Sequence, residues 1–249
     1  MTFELDTDAA ARQAAADAAA RAAAAPAAAA DAAADVPLDV RTAIRAIVPA
    51  APAGASVDWV VALETLAAVS PALAIVAAGE ALGGAAVTTV AQWPGLRGVD
   101  VDGLRASFAA DPSWHLAVTA TLVGAGRGAV EAAVAALKAS RAAGAAAQAG
   151  QPRVADAATA VDASRLLLWD AAGQGVAGET TGVARGLARL HALDALTAAL
   201  AAAEAACGAE SFRPGMPLER LRRDATTVAQ VLGERMAAAE AVAVGTLPA

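Results

Sequence analysis

Alanine dominates this chain, and it comes in runs: between residues 4 and 35 nearly every position is alanine, with Asp and Arg at intervals. Alanine is the best helix former and is depleted in strands, so long alanine-rich stretches point to helices. Its side chain is a single methyl group. Helices made from it can approach closely but cannot fill wide gaps. The aromatic share is only 3%, with no tyrosine, which removes the residues that usually fill such gaps. Hydrophobic residues reach 58%, but alanine supplies most of that. The expectation is an all-α protein packed through small side chains, without deep aromatic pockets.

A chain of 249 residues is long enough to bury a substantial core as one large domain or two small ones. The net charge is −7, which argues against a nucleic-acid partner, because phosphate binding needs a basic surface. One cysteine, Cys207, excludes an intramolecular disulfide and a cysteine-rich metal site. It is expected as a small buried hydrophobe. The first residues, Met1-Thr2-Phe3-Glu4-Leu5-Asp6, are acidic and lack the apolar run of a signal peptide. Two apolar stretches have nearly the length of a membrane span. Residues 66–90 contain Pro71, Glu80 and Gly83-Gly84, and residues 116–137 contain Arg127 and Glu131. Charges at a bilayer centre are costly, so both are expected as buried helices of a cytoplasmic protein with no membrane partner.

Residues 4–35 are expected to be helical, broken near Pro26. Val36-Pro37-Leu38-Asp39 opens a short helix to Ile47, and residues 49–54 form a loop. Ser56 is an N-cap candidate for the next helix, on which Val60, Leu63, Leu66 and Ala67 share a face. Ser70-Pro71 starts another, with proline well placed in its first turn. Together these make an N-terminal helical subdomain over 1–90. Residues 92–103 are rich in turn formers, and 91–112 is the expected linker. Residues 113–249 then read as an up-down four-helix bundle. Its helices run from Asp111-Pro112-Ser113 to about Ala143, from about Pro152 to Ala172, from about Thr180 to Cys207, and from Pro217 to about Val244. Gly173–Gly178 is expected as a loop. In the last helix Leu218, Leu221, Ala225, Val228 and Leu232 form a packed stripe.

Few residues suggest chemistry. Gly124-Ala125-Gly126-Arg127-Gly128 imitates part of a dinucleotide loop, but no strand precedes it and it sits in a helical pattern. Its small residues are better suited to close helix contact. His191 has no H-x-x-E or H-x-x-x-H partner, so a metal site is not expected. No nucleophile elbow or phosphate loop occurs.

The run Pro217-Leu218-Glu219-Arg220-Leu221-Arg222-Arg223-Asp224-Ala225-Thr226-Thr227-Val228-Ala229-Gln230 resembles the signature near the C-terminus of the acyl-CoA dehydrogenase superfamily, closest to its flavin-dependent monooxygenase branch. Weaker similarities are Val36–Ile44, Leu63-Glu64-Thr65-Leu66-Ala67 with Ser70 and Ala72, and Gln151–Trp169. The resemblance implies three domains: an N-terminal helical one, a middle β domain and a C-terminal four-helix bundle. Only residues 85–112 stand where the β domain belongs, too few to form it. Gly95–Asp102 resembles a remnant of its final strand.

The resemblance also implies a flavin and a catalytic glutamate, and here the chain departs from it. The glutamate's position is Leu232, followed by Gly233, and leucine cannot accept a proton. Glu234 beside it reads as a solvated helix charge. Where monooxygenase members carry histidines this chain has Thr226 and Val231. The arginine and phenylalanine that approach the flavin before the second bundle helix have no clear match. Arg141, the nearest basic residue, reads as a charge interacting with a helix dipole.

No catalytic residue is therefore assigned. Trp114, His115 and Gln230 are the candidate ligand cleft, at the end that faces substrate in the family. Glu219, Arg220, Arg223 and Asp224, with Arg222, are expected as a structural ion-pair network. The function implied is a non-oxidising partner subunit, scaffold or binder of an acyl or polyketide-like ligand. Its partners would be further copies of itself or a full-length relative, and it would have no cofactor. One alternative is a flavin-dependent oxidoreductase that binds FAD in a site completed by another subunit. The other is a cofactor-independent enzyme reusing the old cleft.

Overall fold

The computed structural model describes Ala14, Asp17, Ala18, Val48 and residues 56–82, 111–142, 150–176, 182–214, 216–233 and 235–246. The expected break at Pro26, the helix over 36–47, the loop over 49–54, the turn-rich 92–103 and Glu234 lie outside these residues. Among the described residues every regular element is helical and no strand occurs.

Helix α1 spans Val57–Ala67. It starts where the Ser56 hydroxyl accepts a hydrogen bond from the Trp59 amide at 3.3 Å, satisfying one of the donors a helix start leaves free. All its residues from Trp59 to Ala67 are buried, so it is covered on every side. Helix α2, Pro71–Ala81, starts the same way: Ser70 caps it, accepting from the Leu73 amide, and proline occupies its first turn.

Helix α3, Pro112–Ala142, is the centre of the molecule. The Asp111 carboxylate caps it, accepting from the Ser113 amide at 2.8 Å. Every residue from Leu116 to Gly126 is buried, because α1, α2 and three later helices all pack on α3. Two buried hydroxyls in this run stay satisfied by donating to carbonyls one turn back, Thr119 to His115 at 2.7 Å and Thr121 to Ala117 at 2.9 Å.

Glycines set how closely α3 is approached. A Cβ at Gly124 would overlap the Glu64 carbonyl oxygen, and one at Gly128 would overlap that of Ala68. One turn apart on one face, these two let the backbone of α1 rest directly on α3. Gly126 faces the other way, where an added Cβ would meet Val161 at 3.0 Å. The glycine-rich run is thus a helix-packing device and not a nucleotide loop.

Helix α4 spans Gln151–Val176, and α5 spans Gly182–Cys207. The expected loop from Gly173 is overturned over Gly173–Val176, where α4 continues. One glycine costs a helix about 1 kcal/mol, and Ala171 and Ala172 just before it are both fully buried, so packing carries the helix past it. Helix α5 ends at Gly208, whose φ of +59° suits the left-handed cap that glycine adopts without strain. A 3-10 turn, Gly208–Phe212, follows.

The expected single last helix is interrupted. It comprises α6, Pro217–Val228, a π turn at Ala229–Gly233, and α7, Arg235–Thr246. The interruption falls where the run changes partner, since α6 packs on α3 and α2 whereas α7 packs on α5. The expected stripe is present: Leu218, Leu221, Ala225, Val228 and Leu232 are all buried.

Helices α3 to α5 and the α6–α7 run form the four-helix bundle. Helices α1 and α2 lie against it and share one continuous hydrophobic cluster with it. By length and composition, Pro112–Ala142 and Gly182–Phe212 are apolar enough to cross a membrane. About half of the former's apolar window and a third of the latter's are buried within the fold.

Candidate functional site

The three residues expected to line a cleft have separate fates. Trp114, in the first turn of α3, is 2% exposed and belongs to the core. His115 beside it is partly exposed. Its Nδ1 lies 3.0 Å from an Nη of Arg189 on α5. Guanidinium only donates, so Nδ1 is the acceptor of this pair and the imidazole is neutral, with its proton on Nε2. Burial pushes the His115 pKa down from 6.5 to about 4; Arg189 and Arg185 push in the same direction and Asp111 opposes them. Gln230 is exposed in the π turn, and none of the described hydrogen bonds joins it to His115. The structure therefore brings His115 together with Arg189.

Arg189, only 4% exposed, was missed in the sequence. Its signal was the pair Arg185 and Arg189, two like charges one turn apart in the first half of the helix. Such spacing is unfavourable unless something else contacts the charges.

The charged run of α6 forms ion pairs. Arg223 reaches Glu219 at 3.3 Å and the adjacent Asp224 at 3.4 Å. Arg222 lies 3.8 Å from Glu204 on α5 and 5.1 Å above the Phe212 ring. Arg220 is 6% exposed and Asp224 2%. The network ties α6 to the end of α5.

A second ionic centre was not foreseen. Glu64 of α1 is fully buried. Its Oε1 receives Arg165 of α4 at 2.8 Å and Arg127 of α3 at 3.3 Å. Arg127 also reaches Asp17 at 3.1 Å and Glu131 at 3.5 Å. The Arg165 guanidinium stacks over the Trp169 ring at 4.5 Å. Burial raises the Glu64 pKa above its usual value, and Arg165 and Arg127 pull it back. The carboxylate has no opening to solvent, so it serves as a clasp between three helices rather than as a site for substrate. Among the described residues no cluster of three or more His, Cys, Asp or Glu side chains is placed to hold a metal.

Residues 115–243, just over half of the chain, match the acyl-CoA dehydrogenase C-terminal domain. The chain belongs to the acyl-CoA dehydrogenase family. No curated protein matches it. The matched segment covers nearly all of the helical bundle. No β-strand is present among the described residues, and only residues 82–111 separate α2 from the start of α3.

Membership poses the question of a flavin, and the residues present do not fit one. Leu232, where the resemblance implies the family's catalytic glutamate, is 1% exposed inside the π turn. Neighbouring Val231 is likewise buried. The connection before α4, residues 143–149, contains neither Arg nor Phe. On the face of α3 where α1 lies, the two helix backbones touch at Gly124 and Gly128.

Proposed function

We propose that this chain is a non-oxidising member of the acyl-CoA dehydrogenase family that works by association, as a partner subunit or scaffold, in the cytoplasm. The observation that carries this reading is Leu232. The position that would need a proton acceptor holds a hydrocarbon side chain sealed in the core, and burial there leaves no room for a carboxylate to act from.

The outer surface supports association. Met236 and Val244 of α7 are 82% and 75% exposed, and Leu187 of the adjoining α5 is 37% exposed. Large apolar side chains left outside on neighbouring helices favour burial against another subunit, either a second copy or a full-length relative. In this reading residues 1–90 and 113–249 are the two helical units and 91–112 the link between them.

The test combines two measurements on the freshly purified protein. The absorbance spectrum should lack flavin bands, and titration with FAD should not saturate in the low micromolar range. Light scattering at micromolar concentration should give a mass above that of one chain. A yellow preparation with stoichiometric flavin overturns the reading and favours an oxidoreductase that completes its site with another subunit. A colourless monomer that gains no mass when a full-length relative is added removes the partner role.

A further inference from the structure

A groove of about 330 Å³ lies between the C-terminal half of α3 and the first turns of α4. Val134 and Leu137 of α3 and Val154, Ala155 and Ala158 of α4 form its apolar wall, and Lys138, Arg141 and Gln151 supply the polar groups. Its separation from His115 along α3 is about 30 Å, at 1.5 Å per residue, so it is not the cleft considered above.

We propose that this groove binds a free medium-chain carboxylate, its alkyl chain against Val134, Leu137 and Val154 and its head group between Lys138 and Arg141. Size and charge together favour this occupant. The volume stands at the low end of small-molecule sites and suits one short chain. The wall offers an aliphatic tail only hydrocarbon contact. The polar end of the groove carries two cations in a protein whose net charge is −7. Among the residues that line it there is no acidic side chain to neutralise them. Helix α4 begins at the same place, and the free amides of its first turn add positive potential. Gln151 provides an amide donor for a carboxylate oxygen. Arg141, in the last turn of α3, also offsets that helix's carbonyl end, which leaves Lys138 as the cation with no second duty in this geometry.

The inference does not depend on the partner role or on the absence of flavin, and its test reads neither. Isothermal titration of the full chain with hexanoate, octanoate and decanoate, each kept below its micelle concentration, should give saturable one-site binding. Affinity should rise about fourfold per added methylene until the groove is full. Octanol should bind at least tenfold more weakly than octanoate. The Lys138→Ala/Arg141→Ala double variant, altered only at exposed positions, should lose that preference while still binding octanol as before. Ala155→Phe, at an exposed position on the groove wall, should weaken both ligands. Absence of saturable octanoate binding overturns the proposal. So does equal binding of octanoate and octanol by the wild-type protein, or octanoate binding unchanged in both variants.

Discussion

Replacing Gly124 by alanine should destabilise the protein, although the same change in an open helix stabilises it. Glycine in a helix interior costs about 0.5–1 kcal/mol relative to alanine, so propensity alone predicts a gain. Here the new methyl would overlap the Glu64 carbonyl oxygen and stand 2.7 Å from the Ala67 Cβ. Both obstacles belong to α1, and the nearer is backbone, so no rotamer change relieves the clash. Helix α1 has to retreat from α3. That carries Glu64 away from Arg165 and Arg127, now at 2.8 and 3.3 Å. Overpacking costs about 1–3 kcal/mol, and loosening a buried ion pair adds to it. After subtracting the propensity gain, the net loss is about 2 kcal/mol. For a chain of this size that lowers Tm by about 4–8 °C. Thermal unfolding followed by far-UV circular dichroism measures it. The control is Gly173→Ala in α4, where the new Cβ meets only Val57 Cγ2 at 4.0 Å. That variant should gain about 0.5–1 kcal/mol. A Gly124→Ala protein that melts at or above the wild-type Tm refutes the claim that α1 and α3 are in backbone contact.

Three further outcomes follow from burial and charge. Leu232→Glu should collapse together with Leu221→Asp and Val228→Asp, since all three positions are 5% exposed or less and an unpaired buried charge costs several kcal/mol; a folded Leu232→Glu beside two unfolded partners means an open cleft. Because burial raises the Glu64 pKa from 4.5, the folded state holds its proton more tightly than the unfolded chain. The stability of wild type relative to Glu64→Gln should therefore be greatest below pH 4.5 and fall as pH rises through the raised value, which urea titrations across pH 4–8 would show. For His115 the sign is opposite. Its pKa falls from 6.5 to about 4, so its contribution is present above pH 6.5 and lost as pH drops towards 4; His115→Asn should flatten that part of the stability profile, and an unchanged profile would contradict the neutral pairing with Arg189.

What could be read from the amino-acid order was what local chemistry decides. Ser56, Ser70 and Asp111 announce their helices because a cap and its amide lie within a few residues of each other. The stripe from Leu218 to Leu232 announces a packed face because helical periodicity is local too. Gly173 misled because a weak propensity signal was overridden by the burial of Ala171 and Ala172, which only the packed fold creates. The π turn carries no composition cue; it follows from a change of packing partner. Glu64 and Arg127 are 63 residues apart, and Arg189 and His115 are 74 apart, distances over which periodicity says nothing. A cue did exist. Glu64 is a lone charge in an apolar run, and a charge committed to a core has to find its opposite. The burial of Leu232 was legible from the helical stripe it belongs to, whereas a groove between α3 and α4 exists only once both helices are placed.

The final helix is fastened lightly. Within Arg235–Thr246 only Ala238 is buried; it is held where Gly186 of α5 lets the two helices approach, Gly245 makes a second close approach to Val183 of α5, and an exposed pair joins Arg235 to Asp194. The π turn just before it interrupts the regular ladder of amide bonds. Opening this helix exposes little apolar surface and leaves Leu221, Val228 and Leu232 in their core. Its amides should therefore exchange with solvent hydrogen through a local event far cheaper than global unfolding.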